Sequence, residues 1–188
     1  MIDSAVFDAC VLYPAPLRDF LLRFAEAELF SPFWSGEIQD EWTRNLLRNR
    51  PDLKRENLEQ TCRRMDFHFP NGLVRGYESI TPTLHLPDPD DRHVLAVAIH
   101  TKANFIITFD LNHFPNTVLR TYGVESVPPD EFVFRLIQKR PDRVLDVVKL
   151  HRSRLTRPAK AVDEYLATLE AQKLPRTVAF LREHKGDL

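Results

Sequence analysis

The chain has 188 residues, 43% of them hydrophobic and 28% charged, proportions of a soluble globular protein that exclude disordered and fibrous classes. Five glycines leave almost no material for a phosphate-cradling loop, and two cysteines, Cys10 and Cys62, are too few for a disulfide framework or a four-cysteine zinc site. The net charge of -1 hides an asymmetry, because residues 139–188 carry 12 Lys/Arg against 7 Asp/Glu while residues 1–138 carry 14 against 20.

In chain order, residues 4–12 read as a buried strand, an apolar run interrupted by Asp8 and broken by Pro14 and Pro16. A helix follows from Pro16, with Leu17, Phe20, Leu21, Phe24 and Ala25 at helical spacing. Residues 29–34 form a short apolar segment, and Ser35 is the expected N-cap of a helix to about Arg48. A third helix is predicted over about 53–67, ended by Pro70-Asn71-Gly72. Pro87-Asp88-Pro89-Asp90-Asp91 then opens an apolar helix through Val94, Leu95, Ala98 and Ile99. Residues 105–109 and 124–127 read as short strands, the first stopping at Asp110 and the second closed by Pro128-Pro129, and 130–138 are helical again. Beyond Pro141 the pattern is helical only, over 144–150, 162–169 and a piece ending near Glu183. Strands alternating with crossover helices predict an α/β protein with a central parallel sheet covered on both faces. Residues 139–188 are set apart as a basic helical extension of a domain spanning 1–138. No apolar run reaches the ~20 residues of a membrane span, and Asp3 and Asp8 stand where a signal peptide would be basic, so a cytoplasmic protein is expected.

The acids carry the chemistry. Ligands of an α/β sheet bind outside the carboxyl ends of its strands, and Asp8 and Asp110 fall at or near two such ends. A carboxylate inside a run as apolar as 5–12 is costly to bury alone and calls for a partner such as a metal ion. Asp91 lies in the first turn of the helix feeding the second of these strands, where Asp88 and Asp90 read as capping residues. On a helical wheel Glu41 falls about 60° from Ile38 and about 100° from Trp42, at the border of the apolar face. Four converging carboxylates repel one another unless cations sit between them, and hard oxygen donors select Mg²⁺ or Mn²⁺. Seven histidines form no HxH or HExxH pattern, which disfavours a zinc hydrolase. An all-carboxylate site suits metal-assisted phosphodiester hydrolysis, with water as nucleophile.

Val6-Phe7-Asp8-Ala9-Cys10, Glu41 within Glu37-Ile38-Gln39-Asp40-Glu41-Trp42, the block from Asp88 to Ala98, and Ile107-Thr108-Phe109-Asp110-Leu111-Asn112-His113-Phe114-Pro115 together resemble the PIN-domain nucleases, in particular the VapC-like toxins of toxin–antitoxin pairs. The resemblance covers about residues 2–135. It implies a flavodoxin-like α/β/α fold, Mg²⁺- or Mn²⁺-dependent cleavage of single-stranded RNA, and as partners single-stranded or structured RNA, a cognate antitoxin protein and a second copy in a homodimer. Carried over position by position, Asp8, Glu41, Asp91 and Asp110 are the implied metal-binding and catalytic tetrad. Asp90 is an adjacent supporting acid, and Thr108 matches the strand-end threonine that would hydrogen-bond near Asp8 or orient a water. Cys10 stands where the family often has a short polar residue, and His113 where relatives often carry an aspartate.

Cys10 reads as a small core residue, and Asn45, one turn past Glu41, as a hydrogen-bond partner for a carboxylate. Arg44 and the basic run containing Arg152, Arg154 and Arg157 are expected to track phosphates. Trp34 and Trp42 read as core and dimer-contact residues. The helical extension either binds substrate through its basic run or covers an antitoxin groove or dimer surface. A haloacid-dehalogenase-type phosphatase is excluded because Cys10 occupies the place of its second aspartate, and a response-regulator receiver because no lysine stands at the required strand end. The alternative to an enzyme is a non-catalytic PIN-fold module that binds RNA or protein, which would not require all four acids.

Overall fold

A computed structural model describes residues 3–156 and 158–188. Its apolar runs pair into a five-stranded, all-parallel sheet of strand order β3-β2-β1-β4-β5. The strands are β1 (Ser4–Phe7), β2 (Ser31–Ser35), β3 (Leu73–Val74), β4 (Phe105–Ile107) and β5 (Glu125–Val127). The helices are α1 (Ala9–Leu12), α2 (Ala15–Glu26), α3 (Gly36–Asn49), α4 (Arg55–His68), α5 (Arg92–Thr101), α6 (Asn116–Leu119), α7 (Pro129–Lys139), α8 (Pro141–Arg154), α9 (Val162–Ala171) and α10 (Pro175–Glu183). None of them is long and apolar enough to cross a membrane.

By packing the chain forms two units, one of residues 1–13 and 30–127, the other of residues 14–29 and 128–188. The first holds the sheet. From β2 the chain moves outward to β3 through α3 and α4, then returns past β1 to β4 through α5. Because parallel crossovers are right-handed, this reversal puts α3–α4 and α5 on opposite faces, which gives the α/β/α layering. The switch point falls between β1 and β4, whose register sets Val6 opposite Ile106 and Phe7 opposite Ile107. The two strands therefore end level, and the residues that follow them open onto one crevice.

The expected strand over 4–12 is shorter than its apolar run. It stops at Phe7, and the Asp8 carbonyl already accepts from the Val11 N–H at 3.0 Å, starting α1. A continuous apolar run does not distinguish buried strand from buried helix. Ser35 caps α3 as expected, accepting the Ile38 N–H at 3.2 Å. Trp34 is fully buried, stacked at 6.5 Å on Phe7, with its indole N–H on Asp66 at 2.9 Å. Gly72 makes room for that indole, since a Cβ there would stand 2.8 Å from its ring. Trp42 is also fully buried, so both tryptophans belong to the core and leave no ring surface for another chain.

The second unit is helical. α2 packs with α8 and α9 around Phe20, Phe24, Val148 and Tyr165. At its centre the buried His151 ring spans Asp19 and Tyr165, with Nε2 2.9 Å from Asp19 Oδ2 and Nδ1 2.9 Å from the Tyr165 hydroxyl. Burial works to raise the Asp19 carboxyl, but the His151 and Arg23 contacts outweigh it and hold the group below its ordinary range. α10 begins at Pro175 without a local side-chain cap. Its free N–H groups turn instead to the buried Asp130 of α7, whose carboxylate accepts from the Arg176 N–H, the Thr177 N–H and the Thr177 hydroxyl at 2.8–2.9 Å. Asp130→Ala strips all three and leaves a buried hydroxyl unpaired. It is expected to cost about 2 kcal/mol or more of stability, read as a lower midpoint in chemical denaturation; an unchanged midpoint contradicts the cap.

Candidate active site

The crevice beyond β1 and β4 is a cleft of about 600 Å³ whose walls carry Asp8, Glu41, Asp91 and Asp110. Asp8 leaves the end of β1 with only 4% of its surface exposed. Its Oδ2 accepts the Thr108 hydroxyl at 2.6 Å and the Cys10 thiol at 2.9 Å. Both donors are tied to the turn that follows β4: the Asp110 N–H donates to Thr108 Oγ1 at 2.9 Å and the Phe109 N–H to Cys10 Sγ at 3.3 Å. The same bonds that settle Asp8 thus bring Asp110 to it, and ligand atoms of Asp8, Cys10 and Asp110 lie within 4.8 Å of one another. Thr108 makes a hydrogen bond to Asp8, one of the two contacts expected of it. Cys10 is more than a packing residue, because α1 turns its thiol onto the carboxylate.

Asp91 ends the short 3-10 turn Pro89–Asp91 and leads into α5. Its carboxylate meets the His113 ring at 2.9 Å, and Asp88, Asp91 and His113 form a second group with ligand atoms within 4.8 Å. Asp90 is exposed at the rim, where its N–H donates to Asp88 Oδ1 at 2.9 Å. Glu41 enters from α3, with Arg44 and Asn45 of the next turn also on the cleft wall.

The electrostatics are those of a site short of positive charge. Burial pushes the Asp8 carboxyl up; the Cys10 and Thr108 hydrogen bonds oppose this, and the Glu41 charge adds to it. Burial and then the charge of Asp8 push Asp91 up to about 6, against the His113 contact. The Cys10 thiol is pushed far up by burial and by Asp8, so it remains protonated and donates. Every tetrad member therefore meets another: Asp8 feels Glu41, Asp91 feels Asp8, and Asp110 lies beside Asp8. A divalent cation is the chemical complement of such a donor set.

Not every expected residue joins the cleft. Arg152 belongs to the helical unit and spends its guanidinium on the carbonyls of Lys160 and Leu188 at 3.1 and 2.8 Å. Arg154 pairs with Glu26 at 3.3 Å, also within that unit. Arg157 lies outside the described residues. Sequence reasoning passed over Glu37 and His93, which also line the cleft. Their signals are positional: Glu37 precedes Glu41 by one helical turn, and His93 precedes Ala96 and Val97 by three and four residues on the buried face of α5.

Residues 1–112 match the PIN domain family, and residues 129–183 match the VapC50 C-terminal domain. Over 68 residues the chain is 37% identical to the Mycobacterium tuberculosis (strain ATCC 25618 / H37Rv) protein named "Putative ribonuclease VapC50", a stretch covering 34% of this chain and 40% of that relative. No solved structure matches the chain. With well over half its length matched, the chain belongs to the PIN domain family, and its C-terminal match makes it VapC-like.

A raised carboxyl pKa favours folding only while the group is protonated. The stabilisation is whole below the unfolded value of about 3.9 and is lost as pH rises through about 6. In cation-free protein, Asp91→Asn is therefore expected to raise stability at pH 7.5 by on the order of 1–2 kcal/mol and by only about a third of that at pH 4.5, early in this window. Thermal unfolding in EDTA at both pH values checks this, and a gain independent of pH would count against the repulsion.

Proposed function

We propose that the protein is a divalent-cation-dependent endoribonuclease of the toxin type, cutting single-stranded or structured RNA at the cleft beyond β1 and β4. The observation that carries this reading is the buried Asp8 carboxylate, held by Thr108 and Cys10 beside Asp110 and within reach of the charges of Glu41 and Asp91. Asp8, Glu41, Asp91 and Asp110 would hold Mg²⁺ or Mn²⁺, which when bound supplies Lewis acidity toward a phosphoryl oxygen and an attacking water. The donor set fits such an ion, being rich in carboxylate oxygen and poor in neutralising cations.

The chain's own residues divide the remaining work. Thr108 and Cys10 donate to Asp8 Oδ2 and so fix the carboxylate at the strand end. His113 holds Asp91 through their 2.9 Å contact and, with Asp90 and Asn45, shapes the surroundings of the tetrad. Arg44, exposed at the cleft, is the positive group placed to meet a backbone phosphate of RNA. The VapC-like relationship supports a cognate antitoxin protein and a homodimeric toxin in the cytoplasm as the setting of this activity.

The test is cleavage of a mixed RNA panel by wild type and Asp91→Asn in Mg²⁺, in Mn²⁺ and in EDTA. Discrete products are expected with either cation and none with EDTA, and the variant is expected to fall at least about 100-fold in rate, as loss of a major electrostatic group in an active site does. Cleavage that survives in EDTA or in Asp91→Asn overturns the four-carboxylate site. RNA binding without cleavage under every condition favours a non-catalytic module.

A further inference from the structure

The four-carboxylate scheme leaves His93 without a task. This residue lies in the first turn of α5, two positions past Asp91, and is 4% exposed although it belongs to the cleft wall. Its Nε2 stands 3.5 Å from Glu41 Oε2 and its Nδ1 3.9 Å from Glu37 Oε2. Glu37 also accepts the Tyr77 hydroxyl at 3.2 Å. Glu37 and Glu41 are one turn apart on α3, so their side chains leave the same helix face. The imidazole thus closes the gap between α3 and α5 with one carboxylate at each nitrogen.

Packing alone does not account for an imidazole here. Nδ1 is buried and has no hydrogen-bond partner among the described residues. An apolar side chain of similar volume would fill the space without that cost. What an apolar side chain lacks is the Nε2 contact to Glu41. Glu41 is a long side chain, 31% exposed, whose carboxylate must reach across the cleft toward Asp8. Free in solution it would sample several rotamers and lose that freedom on binding a cation.

We infer that His93 is a positioning residue that fixes the carboxylate of Glu41 for cation binding, with Glu37 and Tyr77 bracing the ring from its other edge. The contact is made to Oε2, which leaves the second oxygen of Glu41 for the ligand. Since Asp91 immediately precedes α5, the ring also sets the distance between a ligand on α3 and one at the start of α5. This inference rests on the cation-site reading above. Neighbours that orient a ligating carboxylate or imidazole typically matter by about 10–100-fold in metal affinity or activity.

The test is direct Mn²⁺ titration of the full chain, following the free-ion signal by electron paramagnetic resonance, with folding of each variant checked by thermal unfolding in EDTA. His93→Ala and His93→Phe are expected to weaken binding about tenfold or more. His93→Gln, whose amide nitrogen takes the place of Nε2, is expected to stay within about threefold of wild type. In a Glu41→Gln background, His93→Ala is expected to add less than about twofold, because a residue acting through Glu41 has nothing left to act on. Wild-type affinity in His93→Ala or His93→Phe overturns the inference, as does an equal loss with and without Glu41. If His93→Ala fails to fold, equal binding by the Phe and Gln variants overturns it instead. A wild-type chain that binds no Mn²⁺ removes the cation-site reading and this inference with it, whereas tight binding with an additive cycle removes only the role of His93.

Discussion

The burial of one carboxylate organises the carboxyl edge of the sheet. Asp8 follows Ala5, Val6 and Phe7, all apolar and fully buried, and among the described residues no arginine or lysine stands beside it to pay for its desolvation. The chain supplies a hydroxyl and a thiol instead, and each of these is itself held by a backbone N–H from the turn after β4. The position of Asp110 is thereby tied to the solvation of Asp8. The parallel register with Phe7 opposite Ile107 makes this possible, since it delivers the two turns to the same depth. Slipping one strand by a residue would separate the donors from the acceptor and reverse which side chains face the core.

Hydrogen bonds orient Asp8 but do not neutralise it, and the surrounding acids make the shortage worse. Burial and mutual repulsion raise both Asp8 and Asp91. Three outcomes would relieve this: protonation, an ion pair, or a bound cation. Near neutral pH an Asp91 at about 6 is mostly ionised, and its pairing with His113 relieves only one member of the group. The arginines Arg152 and Arg154, which by charge alone would be the obvious neutralisers or phosphate contacts, are occupied inside the helical unit. The divalent ion of the proposed function would be a further remedy, and oxygen donors from four separate elements line the cleft to meet it.

The sequence made the acids legible because each stands at a boundary. Asp8 and Asp110 are marked by the abrupt end of an apolar run, Asp91 by the proline-rich turn before a helix, and Glu41 by its place at the edge of a helical stripe. The capping role of Ser35 and the alternation of strands and helices were equally visible, for they are local. What was not visible depends on contacts distant in sequence. Nothing local reports that α1 begins at Ala9 and turns the Cys10 thiol onto Asp8, since the run reads the same as strand or helix. The short β3 and α6 have too few residues to show a period. His93 acquires meaning only when α3 and α5 are brought side by side.

The same distinction explains why packing divides the chain differently from a boundary drawn at residue 138. α2 follows β1 by a few residues, yet its apolar stripe and its Asp19 find their partners in helices more than a hundred residues later. A 12-residue amphipathic helix has little stability of its own and takes it from the face it buries. The buried Phe20 lies against Phe24 and against the His151 ring of α8, and His151 is satisfied at both nitrogens only if Asp19 and Tyr165 are both present. The C-terminal helices are therefore not a detachable basic tail. They complete a core begun by residues 15–26, so removing them would strip a buried surface from the segment that joins the first two strands. Arg152 and Arg154, held by carbonyl contacts and an ion pair, serve that unit first, and any part they take in binding another molecule is built on top of it.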